Sequence, residues 1–442
     1  MNLRARAVLV LLLAAAAASA APASPKNEPT LPSGGDMMPA PSRLPTAAQQ
    51  AHNDETPPFL RWMLAPLKRG MFVRLPIIDT DPNRGITYGV MPIIVLQGES
   101  GDRIKQIHAP SLTYNKDFKL SPTYRYYYYP EEDASFLARA SRAKFEHEIM
   151  LQYEDHSVAD TDYDVFGRVQ ENADAGQRFF GIGPDSPKRS EANYKEQYWT
   201  YKWGAGTPLA KGSPWRAHVS QRYMAARVTN GPIPNLKDFD DAFPAQVAEK
   251  AQQTNETRVN VDYDTRDHAV TTGRGAYFNV FSEAAVRGFL SQYDYTRYGL
   301  DTRWFKPSEE HPGRVLAVQF QYEQLLGQTP PFWILPALGG KYSLRAYGDG
   351  RYVDRGVAAV NIEERFKVYE ARTAGVTTEL QFAPFVGVGE AFDQPGRAAA
   401  RYARPVAGAA FRAVAKPQVV GSVDVGIGRE GVSVFTDINY SF

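Results

Sequence analysis

The carboxy-terminal stretch Val432–Phe442, which reads VSVFTDINYSF, is the segment that decides the fold. Its apolar and polar side chains alternate along the chain. One face carries Val432, Val434, Ile438, Tyr440 and Phe442, and the other carries Ser433, Phe435, Asp437, Asn439 and Ser441. A strand with hydrocarbon on one side and water on the other requires this pattern. The stretch therefore predicts a lipid-facing strand of a transmembrane β-barrel, with Ile438, Tyr440 and Phe442 as its terminal signal.

The amino-terminus has the layout of a secretory signal peptide. Arg4 and Arg6 precede an apolar run over residues 7–18, and small residues follow. A membrane anchor is the competing interpretation, but a spanning helix needs roughly 20 apolar residues and this run is shorter. The predicted organisation is a signal peptide over 1–20, a flexible periplasmic segment over 21–70 and an outer-membrane barrel over 71–442.

Composition excludes several function classes. The chain has no cysteine, which removes disulfides, thiol catalysis and thiolate metal sites. Its 50 basic and 49 acidic residues nearly balance, so the composition does not indicate a nucleic-acid partner. The 25 Tyr, 23 Phe and 6 Trp suit aromatic girdles at two membrane interfaces, although a large soluble sandwich could also use them.

Alternating segments separated by turns predict an all-β fold, a 16-stranded antiparallel transmembrane β-barrel. The predicted strands are 85–97, 103–115, 117–128, 134–154, 160–170, 190–206, 214–227, 255–266, 275–285, 288–305, 314–327, 355–370, 376–388, 403–414, 417–428 and 431–442. The long connections, 171–189, 228–254, 328–354 and 389–402, all follow odd-numbered strands, as they should if they are extracellular. An exported β-sandwich is the alternative fold.

The predicted inner faces are strongly polar. In the strand near 255–266, the residues Val259, Val261 and Tyr263 alternate with Arg258, Asn260, Asp262, Asp264 and Arg266. Neither a lipid-facing surface nor a dry core tolerates such a charge density. These side chains must therefore meet water or one another inside a lumen.

Several blocks resemble the barrel-assembly superfamily, the bacterial surface antigen barrels that include BamA-like and TamA-like proteins. The resemblance covers residues 72–442. Its most specific block is GGKYSLRAY over residues 339–347, which contains Gly340, Arg345 and Tyr347 and is similar to the inward-folded sixth extracellular loop of the family. The resemblance implies an outer-membrane location and a lumen gated by the loop 328–354.

The strand after that loop is similar to the lumen-facing acidic strand of the family. Period two places Asn361, Glu363 and Arg365 inside, so Glu363 is available to Arg345. An arginine at the tip of a returned loop gains a charge-assisted contact with such a carboxylate. The alternative is a solvated surface loop whose arginine contacts lipopolysaccharide or nothing.

Two departures from the family weaken the predicted loop contact. Ala346 stands where the family has Gly, and the family's Phe-x-Asp-x-Gly motif is replaced by FVGVG, which begins at Phe385 and has no aspartate. Arg345 is then expected to depend on Glu363 alone, or on the inward-facing Glu379. The chain also lacks room for the periplasmic POTRA domains of the family, which suggests a branch without them.

The predicted function is a pore, or an assembly or translocation barrel, for polypeptide or lipid. A structural or adhesive surface antigen is the alternative, with the predicted loops 171–189 and 228–254 as binding surfaces. A lipid hydrolase is a third possibility, but none of the seven His lies in a nucleophile motif. We expect no enzyme activity, cofactor or metal. The expected partners are outer-membrane lipids and lipopolysaccharide, the assembly machinery that inserts the barrel, and a separate periplasmic protein.

Overall fold

The computed structural model describes nine segments of the chain. They are 64–67, 70–81, 83–98, 104–131, 133–268, 271–373, 376–415, 419–437 and 440–442. The predicted signal peptide and nearly all of the predicted periplasmic segment lie outside these residues, as does Ile438. The predicted domain limits at residues 20 and 70 therefore stay predictions.

Strands make up most of the described chain. In chain order they are β1 Leu64–Leu67, β2 Gly70–Asp81, β3 Gly85–Gln97, β4 Ile104–His108, β5 Ser111–Asn115, β6 Lys119–Tyr128, β7 Ala134–Arg142, β8 His147–Asp155, β9 Asp164–Phe179, β10 Ala192–Pro208, β11 Trp215–Asn230, β12 Lys237–Asp238, β13 Ala248–Asp264, β14 Gly275–Ala285, β15 Tyr295–Pro307, β16 Arg314–Gly327, β17 Ala337–Leu338, β18 Tyr352–Val353, β19 Gly356–Thr373, β20 Val376–Phe392, β21 Arg404–Ala415, β22 Val419–Gly428 and β23 Gly431–Asp437.

Helix is confined to single turns in the connections. These turns are Val158–Asp160, Lys188–Ser190, Phe239–Ala242, Pro244–Gln246, Pro395–Arg397 and Ala400–Tyr402. None of the helices in the described ranges is long and apolar enough to cross a membrane.

The long strands form one antiparallel meander. Each pairs with the next along the chain, from β2 with β3 to β22 with β23, and β4 and β5 together form one strand between β3 and β6. β2 lies beside β23, so the first and last long strands meet at a seam. The all-β barrel prediction is confirmed by this arrangement.

The described part of the meander has 18 long strands, so the predicted number of 16 is wrong. The first addition is β2, whose Pro76 weakens the strand signal in the sequence. The second arises because the predicted strand 134–154 is a hairpin, β7 and β8. Its turn, Ala143 to Glu146, contains none of the usual turn residues, and Glu146 instead bonds with Arg84. The turn therefore has a contact with a residue 62 positions away in the sequence.

The long connections gather at one end of the barrel, which we call the long-loop end; the opposite end is the short-turn end. They are 180–191, 231–247, 328–355 and 393–403. Because two strands are added upstream, the 328–355 connection is the seventh at this end in the described chain rather than the predicted sixth. The other long loops are shorter than predicted, since β9, β11, β13 and β20 extend into them.

The two faces of the strands differ as a barrel requires. In β13, Val259 is 54% exposed on the outside while Asp262 is 2% exposed on the inside. Outward aromatic pairs include Trp199–Tyr223 near the middle of β10 and β11, and Trp215–Tyr263 at the short-turn end. Of the lumen residues predicted on β13, Arg258, Asn260 and Asp262 thus lie buried inside. Asp264 at the end of β13 is exposed, and Arg266 lies in the turn that follows.

Candidate functional site

The connection 328–355, which we call the returned loop, folds into the lumen. Its turn is built on Gly339 and Gly340, whose φ angles of 119° and 84° are in the left-handed region that favours glycine. A Cβ on Gly339 would lie 2.1 Å from the oxygen of Gly348. Gly340 N–H donates to the Tyr347 oxygen over 2.9 Å. This compact turn presents the Arg345 side chain to the barrel wall.

Arg345 is 1% exposed and contacts two carboxylates. Its Nη1 donates to Glu363 over 2.7 Å and to Asp424 over 2.9 Å. The guanidinium also lies over the Phe385 ring, 3.6 Å from the ring centre. Charge-assisted hydrogen bonds and a cation–π contact therefore hold the tip of the returned loop to β19, β20 and β22.

Glu363 is the centre of this contact. Besides Arg345, it accepts from Arg365 over 2.8 Å and from Arg412 over 2.6 and 2.8 Å. Its side chain is 0% exposed. We call Arg345, Glu363, Arg365, Arg412 and Asp424 the arginine network. Three buried guanidiniums thus depend mainly on one carboxylate, because Asp424 contacts Arg345 closely but Arg412 only at 3.7 Å.

Asp424 provides the second carboxylate that the FVGVG segment lacks. The position of the missing aspartate is Gly387, where a Cβ would lie 2.5 Å from Oδ1 of Asn361. The buried Asn361 therefore fills the space that an aspartate would occupy. Asp424 approaches from β22 instead, and Ser422 and Ser441 donate to its two oxygens.

Residues 440–442 overturn the predicted lipid-facing orientation of the chain end. β23 ends at Asp437, and Tyr440 and Phe442 are each only 7% exposed. The Arg365 guanidinium lies 3.8 Å from the Tyr440 ring centre and donates to the main-chain oxygen of Phe442 over 2.9 Å. Inside the lumen these rings meet guanidiniums and Phe442 packs near Phe305. Alternation alone could not reveal those partners.

Glu379 and Tyr347 lie away from the centre of the network. Buried Glu379 accepts from Gln381 over 3.2 Å and lies 4.0 Å from Lys367. The Tyr347 hydroxyl accepts from the main-chain N–H of Arg429 over 3.2 Å. Tyr347 therefore ties the returned loop to the turn between β22 and β23.

Arg351 makes a second contact between the returned loop and that turn. It donates to Glu430 over 2.6 to 2.9 Å and to the oxygen of Ser186 over 2.8 Å. Its guanidinium is 4.1 Å from the Phe180 ring centre. Burial raises the pKa of Tyr352, so its neutral hydroxyl can donate to Glu430 over 3.3 Å. Arg351 thus joins three connections at the long-loop end.

An aromatic cluster closes the lumen at the long-loop end. Phe179, Tyr194, Phe239, Phe332 and Trp333 are all 3% exposed or less. Phe332 touches the other four rings at centroid distances of 4.1 to 5.7 Å. The returned loop and the connection 231–247 therefore pack against the ends of β9 and β10 as an apolar lid.

Sequence reasoning missed Arg412 and Asp424. Each is the inward charge of an otherwise largely apolar strand segment, AAFRAVA in β21 and VVGSVDVGIG in β22. A lone buried charge in such a strand was the available signal. The partners of these two charges could not be predicted from the sequence. Arg412 contacts Glu363 and Asp424 contacts Arg345, and both pairs are far apart along the chain.

The histidine most suggestive of catalysis is His218. Its Nδ1 lies 2.8 Å from Asp262 and its Nε2 lies 3.3 Å from Asp164. Both ring nitrogens therefore face carboxylates, and a general base needs one of them for its nucleophile. Within the described residues, no group of three or more His, Asp or Glu side chains is arranged to hold a metal ion.

An antiparallel barrel whose first and last long strands lie side by side is the architecture of bacterial outer-membrane β-barrel proteins. The chain belongs to the Omp85 superfamily: the family model described as the Omp85 superfamily domain matches residues 133–418. The protein is accordingly an outer-membrane barrel. No curated protein matches the chain.

The chain is similar to several solved structures, and the BamA structure shows the same fold. BamA from Haemophilus ducreyi lacking POTRA domains 1–3 is 14% identical, with 83% of this chain and 75% of that chain covered and a TM-score of 0.54. CdiB from Acinetobacter baumannii is 11% identical over 84% of this chain and 59% of its own, with a TM-score of 0.43. CdiB from Escherichia coli is 10% identical over 85% and 66%, with a TM-score of 0.46. The chain spans less than two thirds of either CdiB structure.

Proposed function

We propose that this barrel passes or inserts polypeptide or lipid at the outer membrane, with the returned loop as its gate. The observation that carries the proposal is the attachment of the returned loop to the last strands of the barrel. Arg345 contacts Asp424 on β22, and Arg351 contacts Glu430 in the turn between β22 and β23. Both contacts lie next to the seam between β23 and β2.

The two contacts couple the lumen to the seam. If the returned loop left the lumen, the Arg345–Asp424 and Arg351–Glu430 contacts would be lost together. Ser433 on β23 also donates to the Ala346 oxygen over 3.0 Å. Opening the lumen and loosening the last hairpin are therefore expected to be one event, which would open a sideways path into the bilayer.

The other candidate functions have less support. An adhesive antigen would need outward binding groups on its loops, but Phe179, Phe239 and Phe332 turn inward into the lid. A hydrolase would need a free base, and both ring nitrogens of His218 face carboxylates, Nδ1 at 2.8 Å from Asp262 and Nε2 at 3.3 Å from Asp164. The proposed function therefore includes no enzymatic step. A separate periplasmic protein remains the proposed source of client delivery.

A disulfide between the returned loop and β22 tests the proposed gate. An added Cβ on Gly428 would lie 3.0 Å from the Cβ of Ala346. This distance is about 0.5 Å shorter than the shortest Cβ–Cβ distance that is usual in a disulfide. The chain has no cysteine, so Ala346→Cys with Gly428→Cys forms one defined bond. In planar bilayers, we expect the oxidised protein to open at least about tenfold less often than the reduced protein, because the bond keeps the returned loop in the lumen.

The controls are the two single-cysteine variants under the same oxidant and reductant. Gly428→Cys carries the same crowding near Tyr347 without the bond, and Ala346→Cys carries the loop substitution alone. Equal opening frequencies for the bonded and reduced forms of the double variant, with the bond verified by mass, would contradict a gating role.

A further inference from the structure

The short strand β1 lies on the edge of β2 that faces the seam. Residues 70–73 of β2 pair with residues 93–96 of β3. The same four residues also pair with Leu64–Leu67, which is β1. Because a strand has only two edges, β1 must occupy the edge opposite β3. That is the edge beside which β23 lies.

The last strand is too short to cover the whole of this edge. β2 has 12 residues, whereas β23 has 7, begins at the long-loop end and stops at Asp437. Tyr440 and Phe442 are then buried in the lumen rather than continuing along β2. The edge of β2 toward the short-turn end is therefore left to another strand, and β1 pairs with it there.

A proline in β3 shows which main-chain groups of β2 point to the seam. Pro92 is opposite Arg74 and has no N–H, so these two residues form a pair of the non-hydrogen-bonded type. The two types alternate along an antiparallel ladder, so Phe72 also turns its N–H and C=O away from β3. Phe72 therefore presents both groups to the seam, directly opposite Ala65 of β1.

Two further prolines limit where a strand can add. Pro76 has the same parity as Phe72, so the seam edge of β2 has no donor at that point, and the uninterrupted stretch is the one that β1 covers. Pro66 is opposite Met71, next to the pair of Ala65 with Phe72, so its nitrogen points away from β2. The outer edge of β1 therefore lacks a donor and resists the addition of another strand.

We propose that β1 is a built-in cap on the seam edge of β2, and that it must unpair before another strand can add there. This inference rests on the proposed function, in which the last hairpin loosens and the seam opens. An uncovered edge offers main-chain donors and acceptors, which an extended polypeptide strand matches and a lipid does not. The client that the cap excludes is therefore a polypeptide.

Amide hydrogen exchange of the full chain in detergent tests the cap directly. Ala65→Pro removes the N–H that faces Phe72, so β1 should unpair. We expect the Phe72 amide to exchange at least about tenfold faster than in the unmodified chain, while the amides of Met71 and Val73, which point to β3, stay protected. Leu64→Pro is the matched control, because the N–H of Leu64 points away from β2, and its Phe72 amide should exchange within about twofold of the unmodified rate.

Equal exchange of the Phe72 amide in the two proline variants would overturn the proposal. A fluorescent peptide of residues 60–67 then tests strand addition, since it carries the sequence of β1 itself. We expect it to bind the Ala65→Pro protein at least about tenfold more tightly than the unmodified chain, and a peptide with proline in place of Ala65 not to bind. Equal binding to both proteins, or binding to neither, would contradict a cap on a strand-accepting edge.

A disulfide provides a second route if the Ala65→Pro protein does not fold. Leu64 and Val73 form a pair of the non-hydrogen-bonded type, in which the Cα atoms are only about 4.5 Å apart. Leu64→Cys with Val73→Cys should form one defined bond, and oxidation should weaken peptide binding at least about tenfold relative to the reduced form. Equal binding by the two forms would overturn the cap. None of these measurements requires the returned loop to move, so the cap and the proposed gate can fail separately.

Discussion

Glu363→Gln is expected to cause the largest loss of stability among single substitutions in the lumen. Glutamine has nearly the same shape, but it leaves Arg345, Arg365 and Arg412 without the carboxylate that all three contact. Removing one partner of a buried ion pair costs about 3–5 kcal/mol. We expect the urea midpoint of the folded barrel in detergent to fall accordingly, and the folded fraction seen as a heat-modifiable gel band to decrease.

Glu364→Gln is the matched control for this prediction. Glu364 is the next residue on the same strand, but its side chain is 31% exposed and its partner is the half-exposed Arg314. Exposed pairs contribute about 0.2–1 kcal/mol, so this variant should unfold close to the unmodified chain. If the two variants unfolded at the same urea concentration, Glu363 would not be the centre of the arginine network.

Arg345→Ala is expected to have the largest effect on the gate. The substitution removes the contacts of the returned loop with Glu363 and Asp424, while Glu363 keeps Arg365 and Arg412. The barrel should therefore still fold. Hydrogen bonds to charged groups contribute about 1.5–3 kcal/mol each, so the open population should rise at least about tenfold. Single-channel recording measures this as more frequent and larger openings.

Two further variants separate the gate from general damage to the lumen. Arg345→Lys keeps a charge but not the planar guanidinium, so its opening frequency should be intermediate. Arg314→Ala removes an arginine outside the network and should leave the recordings unchanged. Unchanged openings in Arg345→Ala would show that the returned loop does not depend on this contact.

Much of the fold could be predicted because it follows from local alternation. On β13, for example, the apolar Val259 faces lipid and the charged Asp262 faces the lumen, and this difference in polarity can be read from the sequence. What could not be predicted depends on distant contacts. In the turn before β8, Glu146 contacts the distant Arg84. At the chain end, the inward-facing Tyr440 contacts the guanidinium of Arg365, and Phe442 lies beside it.

The candidate site was accessible only in part for the same reason. Arg345 and Glu363 stand out through a family motif and a strand pattern, but Asp424 is 79 residues from Arg345 in sequence. Nothing local in the sequence links the two residues. The side chain of Asn361 over Gly387, which explains the missing aspartate, is likewise visible only once the strands are paired.

The most direct test of the returned loop is the reactivity of a cysteine placed on it. Ala346 is 2% exposed and Ala398 is an exposed residue of another connection at the long-loop end. Because the chain has no cysteine, each can be replaced singly by cysteine and treated with a membrane-impermeant maleimide on intact outer membranes. Ala346→Cys is expected to react at least about tenfold more slowly than Ala398→Cys, and adding Arg345→Ala is expected to abolish the protection. Equal rates for the two single-cysteine proteins would contradict a loop folded inside the barrel.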